Sequence, residues 1–254
     1  MDNTPWDPFL TFSDTQRAQV EAFEREARAF NLKINLISRD TEALFFERHL
    51  LHALALSYRT FPAEGIVVDW GTGGGLPVIP LAIRFPDVTF HAVDAVGKKI
   101  RVVQAIARRL GLDNLQAWHG RAEVWPGRAH YSVSRATAPL LDLWQWHVAC
   151  ADPVVPARET TDWPPGLYCL KGGDLEAEVA ALEAAFPDVV VNQWPLTPLL
   201  GRPYFNDKVI VGVTGGKPAN AGLRGWRDGN PARAGLLPPL FLQPVGAHIR
   251  RRVF

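Results

Sequence analysis

The stretch Ile66-Val67-Val68-Asp69-Trp70-Gly71-Thr72-Gly73-Gly74-Gly75-Leu76-Pro77 decides how the rest of the chain is read. Its first three residues form a short β-branched apolar run, the composition of a buried strand. An acidic residue ends the run, glycines follow, and a helical pattern begins. Glycines at such a bend let the backbone turn sharply and come close to a ligand with no Cβ between them. The free N–H groups in the first turn of the next helix then point at whatever is bound. A nucleotide-like cofactor is expected here.

The glycine spacing selects among cofactors. A dinucleotide fingerprint, G-x-G-x-x-G/A, would put its third small residue at position 76. That residue is Leu76, and the glycines fall at 71, 73 and 75 instead. The next strand, expected over 88–94, ends in Asp94, whose carboxylate can accept hydrogen bonds from both ribose hydroxyls. A plain tight turn is the bland alternative for the glycines; Asp69 and Asp94 beside them favour a cofactor site. The G-x-G-x-G spacing after an acidic strand end resembles the first motif of class I S-adenosylmethionine-dependent methyltransferases.

Composition narrows the setting. The chain has 254 residues, enough to bury a core in one or two domains. Its 47% hydrophobic and 21% charged content is that of an ordinary globular protein. No apolar run has membrane-spanning length and no signal-like core follows a charged start, so a cytoplasmic, membrane-free protein is expected. Cys150 and Cys169 make no C-x-x-C pair, and no histidine cluster has ligand spacing, so neither a disulfide framework nor a metal site is indicated. The net charge of +1 does not announce a nucleic-acid binder, and any such surface must come from local clustering.

Along the chain, residues 1–12 read as a loosely held start. Ser13-x-x-Gln16 is a capping box ahead of an amphipathic helix to about residue 30, with Val20, Phe23, Ala27 and Phe30 at helical spacing. A connector follows, and then a second helix over 41–57 with Leu44, Leu51 and Leu54 on one side. His49 in that helix reads first as a partly buried histidine. Helices over 77–85, 97–110, 139–150 and 174–186 alternate with strands over 88–94, 115–118, 131–134 and 167–170. That alternation argues a parallel sheet covered on both faces. Lys98 and Lys99 occupy a helix's first turn, where positive charge is unfavourable against the dipole, which suggests phosphate contact. The runs 189–191 and 209–213 have no helical pattern between them and are expected to pair as an antiparallel hairpin. The polar, proline-rich segment 152–165 reads as an extended loop. From residue 217 to 254 the chain holds Lys217, Arg224, Arg227, Arg233 and Arg250-Arg251-Arg252 against the single acid Asp228, with five prolines. It reads as a disordered basic arm or a solubilising remnant. Three parts are expected: helices over 1–60 packed on the catalytic domain, that domain over 61–214, and the tail over 215–254.

With these residues in hand the chain resembles the bacterial RsmG (GidB) enzymes, over about residues 15–214. The resemblance rests on Asn35-Leu36-Ile37-Ser38, Arg48-His49, the 69–77 bend, Asp94 with Gly97-Lys98-Lys99, Arg121-Ala122-Glu123, Ser134-Arg135-Ala136 and Leu170-Lys171-Gly172. It implies a Rossmann-like class I methyltransferase sheet with helices on both faces, its last strand pair antiparallel, preceded by N-terminal helices. It implies S-adenosylmethionine as cofactor with no metal, and 16S ribosomal RNA or the small ribosomal subunit as partner, methylated at N7 of a guanine by a monomer. Gly71 and Leu76 would line the cofactor pocket with Asp69, Gly73, Gly75 and Asp94. Ala122 and Glu123 would contact the adenine side, and Arg135 would face the site. The family usually has Val where this chain has Trp70 and Pro where it has Gly74; Gly74 should loosen the loop.

The implied chemistry agrees with the residues present. Guanine N7 already carries a free lone pair, so no general base is needed and the burden falls on in-line positioning. Attack through a pyrimidine carbon would call for a cysteine nucleophile. Arg135 can bond O6 of a guanine while Lys171 supplies a point charge, which makes both candidates for holding the target. An ion pair closing the site is the alternative for Arg135. Two other functions stay open: a nicotinamide-dependent (NAD) oxidoreductase on a similar sheet, and a non-catalytic RNA-binding relative.

Overall fold

The computed structural model describes residues 5–37, 42–135, 137–152, 154, 156 and 159–215. Its frame is a seven-stranded sheet: β1 (Ile66–Trp70), β2 (Thr89–Asp94), β3 (Leu115–His119), β4 (Tyr131–Arg135), β5 (Gly166–Gly172), β6 (Val189–Pro195) and β7 (Lys208–Gly215). The order is β3-β2-β1-β4-β5-β7-β6. β1 to β5 are parallel, and β7 runs antiparallel to both β5 and β6. This is the α/β, Rossmann-like order with a reversed final pair that the sequence led us to expect.

Alternation along β1 feeds two apolar layers, because successive side chains leave a strand on opposite faces. Val67 joins Phe23, Leu54, Ile79 and Val103 on one face; Val68 and Trp70 join Leu143, Trp144 and Leu182 on the other. Both faces are therefore covered, as a parallel sheet requires. The helix Asp14–Asn31 starts at the expected capping box: Gln16 N–H donates to Ser13 Oγ at 3.2 Å and Ser13 N–H to Gln16 Oε1 at 2.9 Å. The same Gln16 side chain donates to the Ile83 carbonyl at 2.8 Å, so it also satisfies the end of the helix Val78–Arg84. The helix Gly97–Leu110 stops at Gly111, which adopts the left-handed conformation.

Four expectations need correction. Residues 5–12 are held, not loose: Trp6 N–H donates to the Leu199 carbonyl, Pro8–Thr11 forms a 3₁₀ turn, and Phe12 is buried. The uniform helix over 41–57 is replaced by a π-helical stretch Phe46–Leu51, an α turn His52–Leu54 and a 3₁₀ turn Ala55–Tyr58. Every residue from His49 to Ser57 is buried, so this segment has no solvent face for a single helical period to mark, and Leu44 is exposed. The connection from β6 to β7 does contain a helix, Leu196–Leu200; five residues are too few to show a period, though Leu196 and Leu200 are both buried.

The fourth correction concerns the end of the 152–165 segment. Trp163 is fully buried, stacks near Tyr168 with ring centroids 4.3 Å apart, and donates its indole N–H to the Leu56 carbonyl at 2.8 Å. The Thr60 hydroxyl bonds Asp162 beside it. Polar composition hid an aromatic anchor that joins the irregular helical stretch to β5. Ser38, Ala136 and the expected tail from residue 216 onward lie outside the described residues. No helix among the described residues is long and apolar enough to cross a membrane.

Replacing Trp163 with Ala removes both the packing and the indole hydrogen bond. It should cost about 3–5 kcal/mol of stability, read from the urea midpoint.

Candidate active site

The sheet order turns back on itself at β1, whose neighbours are β2 on one side and β4 on the other. The crevice outside the carboxyl ends of strands at such a reversal is where open α/β sheets bind ligands. Here those ends carry Gly71, Asp94 and Arg135. Gly71 has φ +67°, and a Cβ on it would lie 2.1 Å from Thr137 Cγ2. Only glycine allows the chain after β4 to close over the end of β1. Gly73 has φ +57° and nothing closer than 3.9 Å where its side chain would be, so its backbone faces open space.

Asp94 organises this bend. One carboxylate oxygen accepts from Gly73 N–H at 2.9 Å and the other from Val96 N–H at 2.7 Å. A carboxylate has about four acceptor positions, so two remain for hydroxyl donors. Gly74, where looseness was expected, lets the N-terminal connector approach: a Cβ there would stand 3.0 Å from that of Leu36. Buried Asn31 shapes the connector by accepting from Leu36 N–H at 2.9 Å and Ile37 N–H at 3.1 Å.

A cavity of about 430 Å³ opens at these strand ends, within the usual range for a small-ligand site. Of the residues the sequence singled out, Gly71, Gly73, Leu76, Asp94, Ala122, Glu123 and Arg135 line it. Lys99 lines it too. Asp69 and Gly75 lie behind that wall: Asp69 is fully buried in β1. The sequence reading gave no site role to several other lining residues, among them Leu36, Thr137 and Trp146. Trp146 sits at a helical position indistinguishable from core, and it packs edge-on against Trp70. A pocket with free carboxylate acceptors at one side and a glycine cradle at another suits a ribonucleoside-bearing cofactor.

Arg135 and Thr137 also line a second cavity of about 750 Å³. Its walls include Arg48, His49 and His52 from the irregular helical stretch and Lys171, Tyr204 and Lys208 from the far side of the sheet. Arg135 Nη1 donates to His49 Nδ1 at 3.3 Å, which orients the guanidinium where the two cavities meet. Lys171 Nζ donates to the Ala138 carbonyl at 2.7 Å and to Glu178 Oε2 at 2.8 Å. That Glu178 oxygen also accepts from Leu140 N–H, at the start of the helix Leu140–Cys150.

Burial sets the protonation of this region. It pushes Asp69 up to about 7, with the facing Thr72 hydroxyl, Val78 amide and Arg135 charge pulling the other way. Neither Thr72 nor Val78 closes a hydrogen bond of good geometry with the carboxyl. Burial, then the charges of Arg135, Arg48 and Arg28, lowers His49 to about 4. His52 falls to about 3 through burial, Arg135 and Lys208, and His147 to about 4 through burial alone. Burial also lowers the Arg135 guanidinium, with Asp69 opposing. Both cysteine thiols are pushed up to about 12, so neither supplies a thiolate nucleophile. Among the described residues no three His, Cys, Asp or Glu side chains are placed to hold a metal ion.

The chain is similar in sequence to known proteins of one family. A family model described as rRNA small subunit methyltransferase G (GidB) matches residues 16–186. A protein of Salinibacter ruber named ribosomal RNA small subunit methyltransferase G is 57% identical over 215 residues, 84% of this chain and 99% of that one. Proteins of the same name from Bacteroides fragilis and Porphyromonas gingivalis are 42% and 37% identical, over 67% and 80% of this chain and 81% and 89% of theirs.

The buried histidines make stability depend on pH. Each binds a proton more readily when unfolded, near its ordinary 6.5, than when folded, so the unfolded state gains as pH falls from about 6.5 to 4. Asp69 acts oppositely between 3.8 and about 7, since it holds its proton more readily when folded. Three histidines outweigh one aspartate, so the melting temperature should fall on acidification from pH 6.5 to 4.5. A flat profile over that interval would contradict the assignment.

Proposed function

Since this chain belongs to the small-subunit rRNA methyltransferase G (GidB) family, we propose that it transfers a methyl group from S-adenosylmethionine to N7 of a guanine in 16S ribosomal RNA. The observation that carries this reading is the pair of cavities meeting at Arg135 and Thr137, one with nucleoside-binding features and one lined by cations. A donor and an acceptor bound on either side of that junction would face each other across it.

When bound, S-adenosylmethionine supplies an electrophilic methyl group on a sulfonium centre. Asp94 would hold its ribose, the 71–75 bend would pass beneath it, and Ala122 with Glu123 would border the adenine. The protein's remaining task is placement. Guanine N7 has its own lone pair, so no side chain need remove a proton, and the high thiol pKa values leave no covalent route through cysteine. Arg135 can donate to O6 of the base while His49 fixes the guanidinium plane. A cation set against N7 would oppose the positive charge that develops on the purine, so Arg135 acts as a positioner. Lys171 is already matched by Glu178 and Ala138, so it walls the acceptor side as one half of an ion pair and not as a free point charge. The substrate would be 16S rRNA alone or within the small subunit.

Arg135→Ala should lower methyl transfer about 100-fold, the scale of a misplaced reacting group, and, because Arg135 also lines the donor cavity, weaken S-adenosylhomocysteine binding by a smaller factor. Tritium transfer to unmethylated 16S rRNA measures the first and calorimetry the second. Mass mapping of the rRNA product tests the N7 assignment directly: a methyl group found elsewhere rejects it. Arg135→Ala with full turnover would remove that residue from the site.

A further inference from the structure

The second cavity holds more positive charge than the methyl-transfer reading requires. Its lining includes four cations, Arg48, Arg135, Lys171 and Lys208, against the single carboxylate of Glu178, which is committed to Lys171. Among the described residues Arg48 and Arg135 form no ion pair, and Lys208 pairs only with the exposed neighbouring carboxylate of Asp207. Cations crowded into one partly buried space without counter-charge repel one another and lose hydration.

The far end of the cavity has a definite build. Arg48 lies over the Tyr204 ring at 5.1 Å from its centroid and Lys208 over the same ring at 4.9 Å. One comes from the π-helical stretch and the other from the start of β7, so a single aromatic ring gathers two like charges from elements far apart in sequence. His52 meets Tyr204 edge-on at 6.4 Å and is only 7% exposed. Its Nε2 is buried without a hydrogen-bond partner, and so is Nε of Arg48. Buried polar nitrogens in this condition are destabilising unless something binds to them. Two cations and two unmatched nitrogens around one ring form a site that lacks an anion.

We propose that Arg48, His52 and Lys208, assembled on Tyr204, form a phosphate subsite that grips the RNA backbone next to the nucleotide presented to Arg135. This rests on the RNA-methyltransferase reading and adds an interaction that reading does not contain. A phosphodiester is the fitting ligand because it brings one negative charge and two unbridged acceptor oxygens, enough for a guanidinium and an ammonium together. The neutral His52 ring can contribute one N–H. Phosphate contacts of this kind set register on the nucleic acid and carry no base identity, so the subsite would place the target nucleotide while Arg135 reads it.

The test uses the full chain with Lys208→Gln and Arg48→Gln, and unmethylated 16S rRNA as the probe. Each variant should weaken RNA association several-fold near physiological salt and flatten the slope of log affinity against log salt by about 0.7–0.9 for each phosphate no longer neutralised. Affinity for S-adenosylhomocysteine should not change, because neither residue lines that cavity. Ethylating RNA phosphates one at a time should reveal a phosphate beside the methylated base whose modification blocks the parent protein and adds nothing to the Lys208→Gln defect. Variants that keep the parent's salt slope, even with a lower melting temperature, would overturn the subsite and leave the ion–ring contacts a structural clamp. Inorganic phosphate that competes with RNA in the parent, with no ethylation-sensitive phosphate near the base, would overturn it in favour of a free-anion site. A parent protein that transfers no methyl group to the rRNA would instead strike the reading of the function itself.

Discussion

Thr137 occupies the space that a side chain on residue 71 would need, and that contact between the ends of β1 and β4 governs the rest of the site. The two strands are paired neighbours in the sheet, and the helices that follow them pack on opposite faces. Closure over Gly71 keeps one cavity on the Asp94 side and another on the Lys171 side, with a narrow junction at Arg135. The strain of such a close approach is avoided only because glycine has no Cβ and tolerates a positive φ. The Thr137 hydroxyl lies 3.4 Å from the Gly71 carbonyl, so a hydrogen bond accompanies the packing.

The N-terminal segments complete both cavities from outside the sheet. Buried Asn31 turns the connector so that Leu36 reaches the glycine bend, while the mixed-pitch stretch 46–58 presents Arg48, His49 and His52 to the other side. The electrostatics of the two sides differ accordingly. Toward the first cavity the carboxylates of Asp94 and Glu123 stand in the wall, and burial raises Asp69 behind it to about 7, so that it titrates near neutral pH. Toward the second, cations gather and the histidines among them are kept neutral by burial and by their charged neighbours. A neutral His49 can accept from Arg135, which a protonated one could not.

How much of this was legible in the chain depends on range. The glycine bend, Asp94 and the alternation of strands with helices are local patterns with local causes, and each was visible. Arg135 could be singled out through its place after the fourth strand and through the family resemblance. Trp146, Tyr204 and Lys208 could not, because nothing in their own neighbourhoods separates a cavity wall from ordinary core or surface. Trp163 was hidden by the prolines and polar residues around it. The stretch 46–58 misled for the opposite reason: it is buried without a break from His49 to Ser57, so its period carried little information about its pitch.

The amino-acid sequence by itself therefore determined the α/β class, the position of the bend, and the carboxylate and arginine that stand at the strand ends, because strand period, turn chemistry and helix capping act over a few residues. It also left room, through Gly71, for a close approach at the bend. Which side chains share a cavity was decided only by the tertiary structure. That choice depends on strand order and on how the N-terminal segments fold back, and it brings Arg48, Arg135 and Lys208 together across 160 residues of chain because packing distance, unlike sequence distance, sets the strength of their interaction.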